Sequence, residues 1–245
     1  HDTVDGIIAA NEAAKKYGVQ LVPGIEISAG DEEKEIHVVG LFVDETCIEL
    51  RRYCQKCRVI RNERGHQIVE KLRQMGVEIT PEEEEQIVYS RARIGHLLVE
   101  KGYAPTMRMA FQKYLSPDGK AYVPKKRISI ERAIELIHKA KGVAILAHLN
   151  TVDSDREVLR QKVKKWAEMG LDGIECYYSE YTESFSAFCI KLAMEENLLR
   201  SGGSDYHGDR KKGLELGKGY GNLYVPDKLC KEIALRTLEK RRERK

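Results

Sequence analysis

No apolar run in this sequence approaches the length of a bilayer. The longest, such as Val38-Val39-Gly40-Leu41-Phe42-Val43, fall far short of the ~20 residues that a spanning helix needs, so no membrane partner is expected. No basic-then-apolar leader opens the chain, so nothing marks it for secretion. An excess of one charge is also missing. Lys and Arg number 42 against 39 Asp and Glu, a net charge of +3. That is too little to argue for a stable grip on duplex nucleic acid, although nucleic acid remains a substrate class. Cysteine is sparse as well. Six in 245 residues is not the density of a disulfide scaffold, and a reducing cytoplasm is the expected home. Cys54 and Cys57 form a C-x-x-C, but no second C-x-x-C completes a four-thiolate cage. The pair lies in a charged, helix-like stretch from Arg51 to Arg73 and reads as ordinary helix residues. An apolar share of 42% excludes a disordered tail, and the length allows one large domain or two modest ones.

The pattern alternates helix and strand, with one interruption. Thr3 or Asp2 is placed to cap a first helix with Ile7, Ile8, Ala10, Ala13 and Ala14 on its apolar face, stopped by Gly18. Val19 to Val22 reads as a short strand, broken by Pro23-Gly24 and followed by Ile25-Glu26-Ile27-Ser28. Asp31-Glu32-Glu33-Lys34 reads as a turn, and Glu35 to Val43 as a strand buried on both faces. Residues 47–120 then read as an all-helical insertion. It comprises a long helix over Ile48–Met75, a Thr80-Pro81-Glu82-Glu83 helix start, and two shorter helices over Ile94–Lys101 and Met107–Leu115. The acidic run is explained by the positive end of a helix dipole. Beyond it, helices over Ile130–Lys141, Asp153–Met169, Thr182–Asn197 and Asp227–Lys245 alternate with strands at Val143–Ala147, Gly173–Tyr178, Leu198–Ser201 and Asn222–Val225. Such alternation implies an α/β fold with a parallel sheet or barrel formed by residues 1–46 and 121–245. In these folds, chemistry gathers where strands end.

Several histidines and acids fall at such places. His148 ends the strand Val143–Ala147. Asp205 and His207 follow the strand that runs into Gly202-Gly203. Glu26 follows the first strand, His37 lies within the second, and His1 precedes the first helix. A polar group among apolar neighbours needs a partner. For any one of these a single core hydrogen bond suffices, but one rim would collect them all. Imidazoles and carboxylates together suit zinc, manganese or iron, and a carboxylate bridging two ions is a feature of hydrolytic multi-metal sites. In Ser201-Gly202-Gly203-Ser204-Asp205-Tyr206-His207-Gly208, the glycines let the backbone approach closely, so that Asp205 and His207 reach one site.

These residues carry a family likeness. His1-Asp2-Thr3-Val4-Asp5-Gly6 resembles the tail of the T-D-H-D-T-x-x-G motif of the PHP (polymerase and histidinol phosphatase) superfamily. Pro23-Gly24-Ile25-Glu26-Ile27-Ser28 resembles its P-G-x-E-x-S motif, Glu35-Ile36-His37-Val38-Val39-Gly40 its histidine-bearing strand, Ala147-His148 its A-H-P, and Ser204-Asp205-Tyr206-His207 its S-D-x-H. The insertion, with Leu98 to Tyr103, Phe111 to Leu115 and Ala121 to Pro124, resembles that of the stand-alone phosphoesterases acting on nucleoside 3′,5′-bisphosphates and on 5′ ends of short RNA. The resemblance implies a distorted (β/α)7 barrel, two to three divalent cations (manganese first, iron or zinc as alternatives), and His1, Glu26, His37, His148, Asp205 and His207 as ligands, with Glu26 bridging. The family's H-x-H pair is absent from this sequence, which implies a missing first strand–helix unit and a truncated chain. Leu149 stands where the family has Pro, and Arg93 where many relatives have the His of an R-P-H.

The expected activity is hydrolysis of a phosphate ester on a small nucleotide or short RNA by a metal-activated hydroxide, with Asp205 and His207 in the catalytic step. Arg91, Arg93 and Lys126, with Lys125 and Arg127, would bind a second phosphate or an RNA backbone, although such cations equally suit a solvated face. Tyr17, Tyr53 and Tyr89 offer rings for a base, though buried helix tyrosines are commoner. A histidinol-phosphate phosphatase shares the metal motifs, and the absent H-x-H would also suit a metal-depleted binding module. The helical insertion favours the nucleotide reading.

Overall fold

The computed structural model describes residues 1–30, 34–88, 90–208 and 211–243. The expected turn at Asp31-Glu32-Glu33, Tyr89 and the last two residues of the expected final helix lie outside them. The chain divides into two compact units, His1–Arg52 with Arg127–Lys245, and Tyr53–Lys126.

The first unit is a mixed α/β structure. Five strands, β1 (Gly24–Gly30), β2 (Glu35–Leu41), β3 (Val143–Leu146), β4 (Gly173–Tyr178) and β5 (Leu199–Gly203), form one sheet in the order β1-β2-β3-β4-β5. The β1/β2 and β2/β3 pairs are antiparallel; β3/β4 and β4/β5 are parallel. The sheet is therefore mixed and not wholly parallel as expected. The connection between β1 and β2 is too short for a crossover, so this pair must be antiparallel. Helices α7 (Arg156–Glu168) and α8 (Glu183–Glu195) carry the crossovers that keep β3, β4 and β5 parallel. Each begins at a side-chain cap, Asp155 or Thr182, and α6 (Ile130–Lys139) begins at Ser129 in the same way. Asp153 lies outside α7 and pairs with Lys162 instead. All four residues of β3 are buried, as a strand covered on both faces requires.

Three expectations are corrected. Val19–Val22 forms no strand; the ladder begins one step beyond Pro23, which has no N–H to give, at the pair Gly24↔Leu41. Asn222–Val225 forms none either, because the Leu223 N–H closes a turn on the Lys218 carbonyl. Neither Asp2 nor Thr3 caps α1 (Ile7–Tyr17), whose N-cap is Gly6 without a side-chain bond. Asp2 belongs to the sheet edge: its N–H donates to the Glu26 carbonyl at 2.9 Å and its carboxylate accepts the Ser28 N–H at 2.8 Å. This pairing fixes His1 beside β1.

At the amino-terminal ends of β3 and β5 stands Asp172, with its side chain fully buried. It accepts from His138 Nε2 and from the Ala144 N–H, each at 2.7 Å, and pairs with Lys240 of α9 (Lys228–Glu243). Its own N–H donates to the Ala144 carbonyl, and its carbonyl accepts the Leu199 N–H. One residue thus ties α6, β3, β5 and α9 together.

The second unit is helical. The long helix α2 (Ile48–Gln74) enters it, followed by α3 (Pro81–Ile87), α4 (Arg91–Glu100) and α5 (Met107–Ala110), which runs into a π-turn at Phe111–Leu115. Thr80 and Glu83 make a reciprocal capping box at α3. Ile68, Leu72, Ile94, Leu98 and Leu115 form the core. A Cβ on Gly65 would lie 2.0 Å from the Val88 carbonyl oxygen, so only glycine lets α2 close on the end of α3. Among the described residues, no helix is long and apolar enough to cross a membrane.

Burial would raise the Asp172 carboxyl, but the His138, Lys240 and Ala144 contacts outweigh it and lower it. Replacing Asp172 by Ala should therefore cost about 3 kcal/mol of stability, the scale for stranding the partners of a buried pair. The sign follows from the lowered value. The wild-type advantage is full above the ordinary aspartate range and disappears as pH falls through the lowered folded value. Denaturant melts of both proteins from pH 7 down to acid would check this; a deficit that does not shrink with acid contradicts it.

Candidate metal centre

The six side chains expected from the resemblance as metal ligands all lie in the first unit. Glu26, in the middle of β1 and not beyond a strand end, presents one carboxylate to three imidazoles. Its Oε1 lies 3.0 Å from His37 Nδ1 and 3.3 Å from His148 Nε2; its Oε2 lies 3.4 Å from His1 Nδ1. One donor atom from each of His1, Glu26 and His37 falls within 4.8 Å of the others, a spacing that can hold a metal ion. His37 Nδ1 and His148 Nε2 are 3.0 Å apart.

Each ring is held from behind. His37 Nε2 meets Glu35 Oε1 at 3.0 Å. His148 sits just past β3 with φ +28°, a left-handed conformation unusual for a residue with a Cβ. Its N–H donates to Glu175 Oε2 at 2.7 Å, and the next N–H, of Leu149, donates to Tyr181 Oη at 2.6 Å. The Thr151 hydroxyl spends its proton on the His148 carbonyl at 2.9 Å, so its oxygen accepts from His148 Nδ1 at 3.0 Å. That anchors the ring through Nδ1 and turns Nε2 towards Glu26.

Burial opposes charge on both Glu26 and His37, yet their mutual contacts win. Hydrogen bonds and charge from His148 and His37 hold Glu26 well below the ordinary carboxylate range. Hydrogen bonds to Glu26 and Glu35 lift His37 to about 9. Glu175 goes the other way. Burial, reinforced by the Asp205 and Glu26 charges, pushes it up to about 8 despite the His148 N–H.

Asp205 and His207 make a second group just past β5. A Cβ on Gly202 would lie 2.6 Å from the Tyr177 carbonyl oxygen, so glycine is required for β5 to lie this close to β4. Asp205 has φ +53°, and its Oδ1 lies 3.3 Å from His207 Nδ1, which also meets the Asp205 carbonyl at 2.7 Å. The His1 and His207 rings, 5.9 Å apart, link this group to the first.

Arg91, Arg93 and Lys126 belong to the helical unit. Arg91 Nη1 donates to the Leu115 carbonyl and Arg93 Nη1 to that of Gln86; Lys126 is exposed. Glu175, Glu35, Tyr178 and Lys211 stand at the centre but were not singled out from the sequence. For Glu175 a signal exists, an acid inside the run Gly173-Ile174-Glu175-Cys176-Tyr177-Tyr178.

The donor set fits divalent cations: an ionised carboxylate faces three imidazoles at once. Ser28 Oγ, buried and opposite His37 in the β1/β2 ladder, has no hydrogen-bond partner among the described residues, an orphaned oxygen on the same strand as Glu26.

Comparison with known proteins adds to this geometry. No family model matches the chain. The chain is 33% identical over 232 residues to the 5′-3′ exoribonuclease Rnm of Salmonella typhimurium, covering 92% of this chain and 78% of that protein. It is 28% identical over 228 residues to the 3′,5′-nucleoside bisphosphate phosphatase of Chromobacterium violaceum, covering 89% and 78%. Among solved structures, a candidate metal-dependent phosphoesterase from Bifidobacterium adolescentis superposes with a TM-score of 0.80 at 28% identity, covering 96% of this chain and 83% of that one.

Replacing Glu26 by Gln keeps its shape and removes its charge. Manganese affinity, read by calorimetric titration, should fall by at least about 100-fold, and Thr151→Val should lower it by about tenfold through the freed His148 ring. Unaltered affinity in Glu26→Gln would contradict the centre described here.

Proposed function

The chain belongs to the PHP family of metal-dependent phosphoesterases, and from that premise we propose that it hydrolyses phosphate esters carried on ribose, at the 5′ end of short RNA or on a nucleoside 3′,5′-bisphosphate. The observation that carries the reading is the single carboxylate of Glu26 set among His1, His37 and His148. The relatives named for RNA and for a nucleoside bisphosphate share a phosphorylated ribose, which narrows the substrate class.

In this reading His1, Glu26, His37, His148, Asp205 and His207 hold two to three divalent ions, manganese first and iron or zinc as alternatives. Bound cations of this kind polarise phosphate oxygens and lower the pKa of water. The chain's own residues supply placement. Glu26 would be the bridging carboxylate, because its two oxygens face different rings. Thr151 and Glu175 hold His148 in a strained backbone conformation with Nε2 turned inward. Asp205 and His207 serve the catalytic step. With Nδ1 anchored on the Asp205 carbonyl, His207 keeps Nε2 for an ion or a proton. A phosphate-binding role for Arg91, Arg93 and Lys126 rests on their charge alone. We read the five-stranded sheet as part of the family's distorted (β/α)7 barrel. Six cysteines in 245 residues suit a reducing cytoplasm.

With manganese, the protein should release nucleotides from a short 5′-phosphorylated RNA, or phosphate from a nucleoside 3′,5′-bisphosphate, and leave histidinol phosphate untouched. Asp205→Ala should lower kcat by about 10³-fold. Turnover of histidinol phosphate alone, or near-wild-type activity of Asp205→Ala, would overturn the reading.

A further inference from the structure

Lys211 lies on the loop after β5, four positions beyond His207. Its Nζ is 2.7 Å from Asp205 Oδ2, 3.4 Å from Tyr178 Oη and 3.5 Å from Glu180 Oε1. The ammonium also stands 5.9 Å from the Tyr178 ring centroid. Three oxygens and a ring face thus hold a side chain that is only 29% exposed. This is more than a surface lysine leaning on an acid. Tyr178 Oη itself reaches Asp205 Oδ2 at 3.4 Å, so lysine and tyrosine converge on the same carboxylate oxygen. The other oxygen, Oδ1, faces His207.

A carboxylate shared in this way has one oxygen committed to a fixed positive charge and one left for another cation. Two cations on one carboxylate repel at this range, and inside a partly buried site the repulsion is poorly screened. A phosphate dianion within reach of both reverses the sign, because each positive charge then gains an anion. By reciprocity, whatever strengthens phosphate binding through the ion strengthens ion binding through phosphate equally.

We propose that Lys211 is a resident cation of the centre, which weakens divalent-ion binding at Asp205 and couples it to the arrival of a phosphate group. The inference rests on reading Asp205 as a metal ligand. It assigns Lys211 a role in specificity: the centre fills completely only when a phosphorylated molecule is present. A neutral side chain at this position would uncouple the two.

The test is calorimetric titration of the whole chain with manganese chloride, with and without inorganic phosphate. The proteins are wild type, Lys211→Met, Lys211→Arg and the exposed neighbour Lys212→Ala. Lys211→Met should bind manganese about tenfold more tightly than wild type without phosphate, since removing one nearby like charge is worth about that factor. It should also lose most of the tightening that phosphate gives wild type. Lys211→Arg and Lys212→Ala should behave as wild type. Unchanged or weaker manganese binding in Lys211→Met, while Glu26→Gln still abolishes it, overturns this inference and leaves the metal centre standing. If wild type binds no manganese, or Glu26→Gln binds as wild type does, the metal reading falls and this inference with it. Should Lys211→Met fail to melt cooperatively, Lys211→Gln carries the same expectation and the same overturning result.

Discussion

A carboxylate enclosed by protein stays ionised only where positive charge or proton donors face it, and Glu26 is ionised among three imidazole rings. Much of the first unit is arranged around that constraint. The β1/β2 hairpin sets Glu26 and His37 on neighbouring strands. Asp2, paired along β1 through its N–H and its carboxylate, delivers His1 to the same carboxylate. The strained turn at His148 is stabilised by three separate hydrogen bonds, to Glu175, Tyr181 and Thr151. Such a cluster of rings and acids costs stability unless cations occupy it. The shifts of Glu26 and His37 in opposite directions show how far the side chains go to neutralise one another.

The two ends of the parallel strands do different work. His148 and Asp205 follow the carboxyl ends of β3 and β5, where chemistry collects in α/β folds. Asp172 stands at the amino ends and binds α6, β3, β5 and α9 into one body. Both ends contain a buried acid, but the environments differ. Asp172 is met by a histidine, a lysine and a backbone N–H, and is held ionised. Glu175 is met by one N–H and two other acids, and is pushed up to about 8. The first arrangement is a staple. The second favours the protonated form at neutral pH, so Glu175 adds little negative charge beside Glu26 and Asp205.

Much of this was legible in the sequence because the signals were local. Thr80, Ser129 and Thr182 cap the helices they precede, and Gly18 ends α1 in the left-handed conformation. His148 and Asp205 were placed by the apolar runs before them. What was not legible depends on partners distant in sequence. Val19–Val22 and Asn222–Val225 have strand-like composition, but a strand needs a ladder, and each stops at a proline. Thr3 looked like a helix cap, yet its hydroxyl accepts the Asp5 N–H, two residues on and ahead of the helix. Glu175 sat in a strand that reads as core, and its meaning appears only when His148, Glu26 and Asp205 surround it. Lys211 lies in a polar, glycine-rich loop with no periodicity to mark it.

The central claim is that Glu26 joins divalent cations to this fold. Crystals grown with manganese chloride and measured at the manganese absorption edge test it most directly. The account predicts anomalous peaks about 2.2 Å from both Glu26 carboxylate oxygens, with the rings of His1, His37 and His148 completing the coordination. Anomalous signal elsewhere on the protein, with none at Glu26, would contradict it.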